Sequence, residues 1–407
     1  MSADFDVVIA GGGYAAQLAA RDLLTAGKRV ALFDRRWRAG YPPQSTSGLA
    51  RRWVRRFGLP VGDGSTPIRS FRVYGPGGAE ALLGDGLLGE VGDVMVEPDV
   101  LARMERVSAE AGLVAVHGVT VLSTERRDGG WSTTVAPGGE RVRSRYVFDA
   151  TGFQAWLGRR AGIAEDLDRE DAHGGVEVTV DRPGSHPEGE VRMWLGHGVA
   201  PLGYGWAFPS TEDGRPTVRV GLGTPRAAAR TAGEYFGAFL RDHPEYGGKV
   251  HHRVGGVIPT APVARTLERG GLFLLGDAAR VCCPITGGGI WGALASGEAA
   301  AASVIAGAPE SYAPRLRWLT DELAWRWALK QFAYGLNDRE LGELVRFLGT
   351  LDLPRDGDVD PLRERRRVTR RLALRHPWLL ATLLRRGRFW RAWAGRRREP
   401  LDDGVIA

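Results

Sequence analysis

The sequence predicts two β-architectures in one chain: a parallel α/β domain with an antiparallel sheet inserted into it, followed by a helical C-terminal region. Three observations carry this. An apolar strand at 4–10 runs into Gly11-Gly12-Gly13 and a helix-forming stretch; apolar residues between 174 and 224 alternate with period two; and beyond 288 the sequence is almost wholly helical.

Residues 4–10, the helix-forming 14–26 with apolar Ala15, Leu18, Ala19 and Leu23, and the strand 29–34 form a βαβ unit. A helix follows at 98–112. Strands near 114–123, 130–136 and 141–149, parted by the turns Asp128-Gly129-Gly130 and Pro137-Gly138-Gly139, read as a meander. Val176, Val178 and Val180, then Val191, Met193 and Leu195, then Val218, Val220 and Leu222 set the alternation of the inserted sheet. A strand at 271–275 leads to a small-residue helix at 288–306. The expected division is 1–75 and 95–173 for the first two parts of the α/β domain, 174–254 for the inserted sheet, 255–308 for the third α/β part and 309–407 for the helices.

At 407 residues the chain can enclose a large ligand, and 43% hydrophobic with 25% charged residues is ordinary globular composition. No basic apolar leader precedes Asp4 and no run approaches the ~18 apolar residues of a spanning helix, so a cytoplasmic protein is expected. Cys282 and Cys283 are adjacent and cannot staple distant elements; with Val281 and Ile285 beside them, packing is the simpler role. The eight histidines show no ligand spacing, so no metal site is expected, and no nucleophile elbow or nucleic-acid motif is present. The net charge of +7 gathers toward the C-terminus. There, residues 378–398 alternate Leu and Trp with Arg, as a helix does at an anionic membrane surface; packing over the α/β domain with Arg reaching water would give the same pattern.

Gly11, Gly13 and Ala16 stand in the order GxGxxA. The first glycine permits a tight turn, the second lets backbone amides approach a pyrophosphate, and the alanine allows close packing of helix on strand. Asp34 ends the second strand ~20 residues on, where it can accept hydrogen bonds from a ribose diol. These residues fit NAD or FAD equally. A second constellation, Gly276-Asp277 after a buried strand, then Pro284 and Gly287-Gly288-Gly289-Ile290 opening a helix, favours FAD. An aspartate there can bind a ribityl hydroxyl, and a helix N-terminus can face the negative edge of a reduced flavin.

At these residues the chain resembles the geranylgeranyl reductase family of FAD-dependent oxidoreductases, which shares the p-hydroxybenzoate hydroxylase fold. The resemblance spans about residues 4–310 and rests on Gly11–Ala16, Asp149–Gly152, the segment GYGWAFP at 203–209 and the segment 276–290. It implies a Rossmann-like FAD-binding domain with an inserted substrate domain. Gly11, Gly13, Ala15, Ala16, Asp34 and Arg35 would hold the ADP half, with Arg103 near the pyrophosphate, Val119 by the adenine, and Gly152, Gly276 and Asp277 along the chain between the rings. Pro284 and Gly287–Ile290 would face the flavin ring. Tyr204, Trp206 and Phe208 would wall the substrate cavity, although the same aromatics would also serve to fill a sheet core.

The chain departs from the family where such reductases often carry a cysteine in a segment like PVQC. Here Pro42-Pro43-Gln44-Ser45 stands instead, and an unactivated serine does not ionise as a thiol does. Ser45 is thus expected as a polar contact near the ring and Tyr204 as the proton donor. The reaction expected is reduction of a carbon–carbon double bond in an apolar prenyl, polyene or secondary-metabolite substrate by hydride from reduced FAD. NAD(P)H or a separate reductase would supply electrons. Monooxygenation or oxidative tailoring, a redox-neutral cyclisation, and a non-catalytic flavin- or lipid-binding role stay open. No feature sets the oligomeric state.

Overall fold

The structure is a computed structural model and describes residues 4–62, 65–83, 92–95, 97–350 and 374. Among these residues the chain forms three sheets. In the first, the order is Glu268–Arg269, Leu272–Leu274, Glu140–Asp149, Phe5–Ala10, Val30–Asp34, Val114–His117. Phe5–Ala10 runs parallel to both neighbours, with Val8 opposite Ala31 on one side and Val147 on the other. Val7, Val8, Ile9 and Ala10 are all buried, because a strand covered on both faces needs apolar residues at consecutive positions rather than alternate ones. The helices Tyr14–Thr25 and Ile290–Ile305 pack together on this sheet.

The expected strand at 114–123 divides in two. Gly118 takes φ +71°, and its N–H donates to the Arg36 carbonyl at 2.9 Å. Val114–His117 therefore joins the parallel sheet beside Val30–Asp34, and the antiparallel meander begins only at Thr120–Arg127, continuing through Gly130–Ala136 to Glu140–Asp149.

The second sheet has the order Val250–Pro259, Ala172–Asp181, Arg215–Pro225, Tyr204–Glu212, Glu190–Trp194, Ser70–Gly75, Ala79–Leu83. It is antiparallel except where Ser70–Gly75 runs parallel to Glu190–Trp194. The hairpin at 70–83 thus belongs with the inserted sheet, beyond the 174–254 segment expected to supply it. Its signal is the alternation Phe71, Val73 and Ala79, Ala81, Leu83 about the turn Pro76-Gly77-Gly78. The helix Ala232–Asp242 also interrupts that segment. Thr231 caps it, its hydroxyl accepting from the Glu234 amide while the Glu234 carboxylate accepts from Thr231 N. A small third sheet joins Gly48–Ala50, Gly92–Val94 and Thr66–Pro67.

Alternation gives the second sheet two unlike faces. Val178, Val180, Val218, Val220 and Leu222 pack with Phe236 and Phe239 of the covering helix. The opposite face carries Glu177, Arg219, Tyr204, Trp206 and Phe208, and it meets the loop that opens the helix Ile290–Ile305. Helical structure continues through Arg317–Ala333 and Asp338–Gly349. The Arg- and Trp-rich stretch 378–398 lies outside the described residues.

Candidate active site

The turn after Phe5–Ala10 is closed on one side and open on the other. Gly11 has φ +99°, and a Cβ on it would lie 2.2 Å from the Ala150 carbonyl oxygen, so only glycine fits. A Cβ at Gly12 would meet Asp34 Oδ2 at 2.5 Å. Around Gly13, by contrast, no atom of the described residues beyond its chain neighbours lies within 4 Å of that position. This open place sits at the N-terminus of Tyr14–Thr25, where the first amides have no intrahelical acceptor, and a pyrophosphate could fill it.

Asp34 is buried at the strand end, and the Val119 N–H donates to its carbonyl at 3.1 Å, so these two residues come together. Arg35 is exposed. The neighbouring Arg36, not singled out from sequence, donates through Nε and Nη2 to Asp34 Oδ2, each at 2.9 Å. Among the described residues Asp34 Oδ1 takes only the Arg36 backbone N–H, at 3.1 Å, and keeps lone-pair capacity for a diol. Arg103 lies on Glu97–Glu110 and reaches the Pro60 carbonyl at 3.4 Å.

The side chains of Ala15 and Ala16 are buried in packing. A Cβ at Gly297 would stand 2.3 Å from the Ala15 carbonyl oxygen, which shows how closely the two helices cross. Gly276, at φ +58°, would bring a Cβ to 3.6 Å from that of Ala15, so the same crossing draws the Gly276-Asp277 segment up to the glycine turn. Gly152, at φ +80°, faces open space. Asp149 beside it is buried; its Oδ1 accepts from Thr151 Oγ1 at 2.6 Å and its Oδ2 from Leu157 N and Gly158 N at 2.9 and 2.8 Å.

Asp277 is the least satisfied of these acids. Among the described residues no donor meets its carboxylate, and although the residue keeps some exposure, burial by the surrounding chain pushes it up to about 6. A ligand hydroxyl donating to it would supply the missing partner, as the ribityl chain of FAD can. Its Oδ1 lies 3.2 Å from a Cβ built at Gly289, the N-cap of Ile290–Ile305. The loop between is closed by Cys283 N to Gly288 O at 3.0 Å and Gly287 N to Cys283 O at 2.9 Å, with Pro284 buried inside it. The open turn at Gly13, the unpartnered Asp277 and the exposed amide end at Gly289 fit a dinucleotide with a polyol linker.

Both cysteines are buried, as packing requires, but their surroundings differ. Burial and Asp277 push the Cys282 thiol up. Burial acts the same way on Cys283, yet Arg326, whose Nη1 donates to Sγ at 3.5 Å, and hydrogen bonding with Thr286 outweigh it and bring that thiol below its usual range. Among the described residues no group of metal ligands occurs, and no helix is long and apolar enough to cross a membrane.

The aromatic face closes over this loop. The Tyr204 hydroxyl donates to the Thr286 carbonyl, and burial raises its pKa well above the ordinary phenol range, so it holds its proton more firmly even though part of the ring is exposed. Trp206 lies across Gly221, where a Cβ would come within 2.5 Å of the indole, and its Nε1 donates to Glu177 Oε2 at 2.8 Å. Phe208 stands against Gly48, 3.1 Å from the position of a Cβ there. The segment 45–48 therefore crosses this face. Arg219 pins it, donating through Nη1 to the carbonyls of Thr46 at 3.0 Å and Ser45 at 3.3 Å. Ser45 Oγ accepts from Ser47 N at 3.0 Å, a local turn bond. Thr46, Glu177 and Arg219 were not singled out from sequence.

Residues 92–302 match the family model described as an FAD binding domain. The chain is 29% identical over 314 residues to a digeranylgeranylglycerophospholipid reductase of Methanocella arvoryzae, covering 74% of this chain and 77% of the relative. It is 30% identical over 311 residues to digeranylgeranylglycerophospholipid reductase 2 of Methanopyrus kandleri, covering 73% and 76%. Among solved structures, a geranylgeranyl bacteriochlorophyll reductase-like protein from Thermoplasma acidophilum superposes with TM-score 0.82 at 23% identity over 93% of this chain and 98% of that one. The flavin-dependent brominase Bmp2 shares the fold more distantly, with TM-score 0.61 at 18% identity over 90% and 98%. The match to the FAD-binding model over more than half the chain, and the 30% identity across three quarters of a reductase, agree with the site geometry: this chain belongs to the geranylgeranyl reductase family of FAD-dependent oxidoreductases.

Proposed function

We propose that this FAD-dependent oxidoreductase saturates carbon–carbon double bonds in the prenyl chains of a lipid. The observation that carries the reading is the tie between Tyr204 and the Thr286 carbonyl, which sets the aromatic face, through Tyr204, against the loop expected to face the flavin ring. An apolar chain needs such a wall, and kinship to reductases named for a digeranylgeranyl lipid supplies its chemical class. Bound FAD, once reduced, supplies the hydride. Gly13, Asp34 and Val119 hold the nucleotide end in this reading, while Asp277 and Gly287–Ile290 hold the ring end. The aromatic face aligns the chain and excludes water from the double bond. Tyr204 serves here as a wall and a latch for the loop, since its proton is engaged by the Thr286 carbonyl.

A prenyl lipid resides in a membrane, so the Arg- and Trp-rich 378–398 segment would rest on the bilayer surface, and electrons would come from NAD(P)H or a partner reductase. Incubation of dithionite-reduced enzyme with a geranylgeranyl lipid under argon tests the reading. Mass spectra should show products heavier by successive pairs of hydrogens. An oxygenated product formed only in air would replace it with monooxygenation.

A further inference from the structure

Saturation of a double bond needs a proton as well as a hydride, and the expected donor, Tyr204, has its proton committed to the Thr286 carbonyl. One residue after Ser45, the Thr46 hydroxyl donates to Glu177 Oε2, the oxygen that also accepts from Trp206 Nε1. Glu177 is 6% exposed, and Thr46, which is only partly buried, lies against it from the 45–48 segment. The charged and titratable groups around this carboxyl are Arg219 from the facing strand, Glu212 and Tyr204 from the next strand, and His252, which pairs with Glu212. Arg219 is no simple counter-ion for Glu177. Its Nη2 bridges to Glu212 at 3.2 Å and its Nη1 serves the Ser45 and Thr46 carbonyls.

Resting on the reading of double-bond reduction, we infer that Thr46 and Glu177 form the proton relay of the reaction, Thr46 touching the reacting carbon and Glu177 refilling it from behind. The balance is simple. The double bond gains a hydride from the reduced flavin, which is left oxidised. With Glu177 protonated on Oε2, its hydrogen bond with Thr46 reverses, the carboxyl O–H donating to Thr46 Oγ. The Thr46 O–H is then free to turn to the second carbon of the double bond, which takes its proton as that O–H bond breaks and a C–H bond forms. Thr46 Oγ recovers a proton from the Glu177 carboxyl, and solvent reprotonates the carboxylate between turnovers. Burial raises Glu177 above the usual carboxylate range and outweighs Arg219 and the two hydrogen bonds, which act the other way. A proton is therefore held to higher pH than an exposed glutamate would hold it, as a general acid requires. Thr46 directly follows Ser45, the residue expected in place of the family's cysteine, so in this proposal a carboxyl and hydroxyl in series replace a thiol.

The test uses the holoenzyme and the variants Glu177→Gln, Thr46→Val and Thr46→Ser. All should bind FAD in the wild-type ratio, because none of these residues is assigned to the cofactor. Infrared difference spectra of wild type against Glu177→Gln, taken at the pH of turnover, should show a protonated carboxyl band that the variant lacks. With a geranylgeranyl lipid, reoxidation of the reduced flavin should slow by ~10²–10⁴-fold in Glu177→Gln and Thr46→Val and recover in Thr46→Ser. The wild-type rate should fall as pH rises through the Glu177 titration, and that inflection should vanish in Glu177→Gln. Absence of the carboxyl band, or a Glu177→Gln rate and pH profile matching wild type while wild type saturates the lipid, would overturn the relay alone. Failure of wild type to saturate the lipid would overturn the underlying reading and the relay with it.

Discussion

Gly11 and Gly13 stand two residues apart in one turn, yet their surroundings predict different failures. At Gly11 the left-handed backbone and the Ala150 carbonyl leave no space, so Gly11→Ala strains the protein itself. At Gly13 the φ of −79° suits any residue and the space beside it is clear of protein. Gly13→Val should therefore fold with near wild-type stability in its flavin-free form and lose FAD, whereas Gly11→Ala should lower the free energy of unfolding in urea by ~1–3 kcal/mol with or without flavin. Flavin-to-protein ratios and unfolding curves of both proteins check this. Equal stability losses in the two would contradict the division of the turn into a protein side and a ligand side.

Residues of this kind are the ones the sequence shows most clearly, because glycine has few other reasons to recur at such spacing. Asp277 is legible for a related reason, an acid directly after a buried strand. Glu177 is not. Placed between Val176 and Val178, it reads as the solvent-facing position of an alternating strand. It is covered by tertiary contact, from Trp206 and from Thr46, which is 131 positions away in the chain. Arg36 and Arg219 escape notice similarly, since their partners are set by tertiary contact and many other arginines share the sequence.

Between elements, the decisive contact is the crossing of Tyr14–Thr25 and Ile290–Ile305. The carbonyl of Ala15 packs where a Gly297 side chain would stand, and the Gly276 segment rests on the same spot, so one crossing aligns the glycine turn with the Gly276-Asp277 segment. Gly297→Leu should force the helices apart. It should cost ~1–3 kcal/mol in chemical unfolding and weaken FAD retention on gel filtration, although residue 297 lies on the packing side of its helix. Retention of flavin at wild-type affinity would show that the crossing does not set the site. The strands and helices themselves follow from periodicity and glycine placement, and the βαβ unit and the period-two sheet appear where that pattern puts them. The hairpin at 70–83 was harder to assign, because its strands are short and its partner, Glu190–Trp194, is remote in sequence. The split at Gly118 turns on a left-handed glycine whose effect depends on Arg36 being alongside.

At the scale of the molecule, two sheets divide the work. The parallel sheet gathers the glycine turn, Asp34 and Asp277, while one face of the second sheet brings Tyr204, Trp206 and Glu177 over the loop at 283–289. The FAD assignment was legible because both ends of the cofactor leave local marks. The acid that completes the chemistry depends on how the 45–48 segment lies across the second sheet, which no local pattern encodes. The most direct measurement is a single turnover under argon: enzyme reduced stoichiometrically with dithionite is mixed with a geranylgeranyl lipid while flavin absorbance and product mass are followed together. The account predicts return of the oxidised flavin spectrum without oxygen, with one double bond saturated per flavin oxidised. Flavin that stays reduced until air is admitted, with the lipid unchanged in mass, would contradict it.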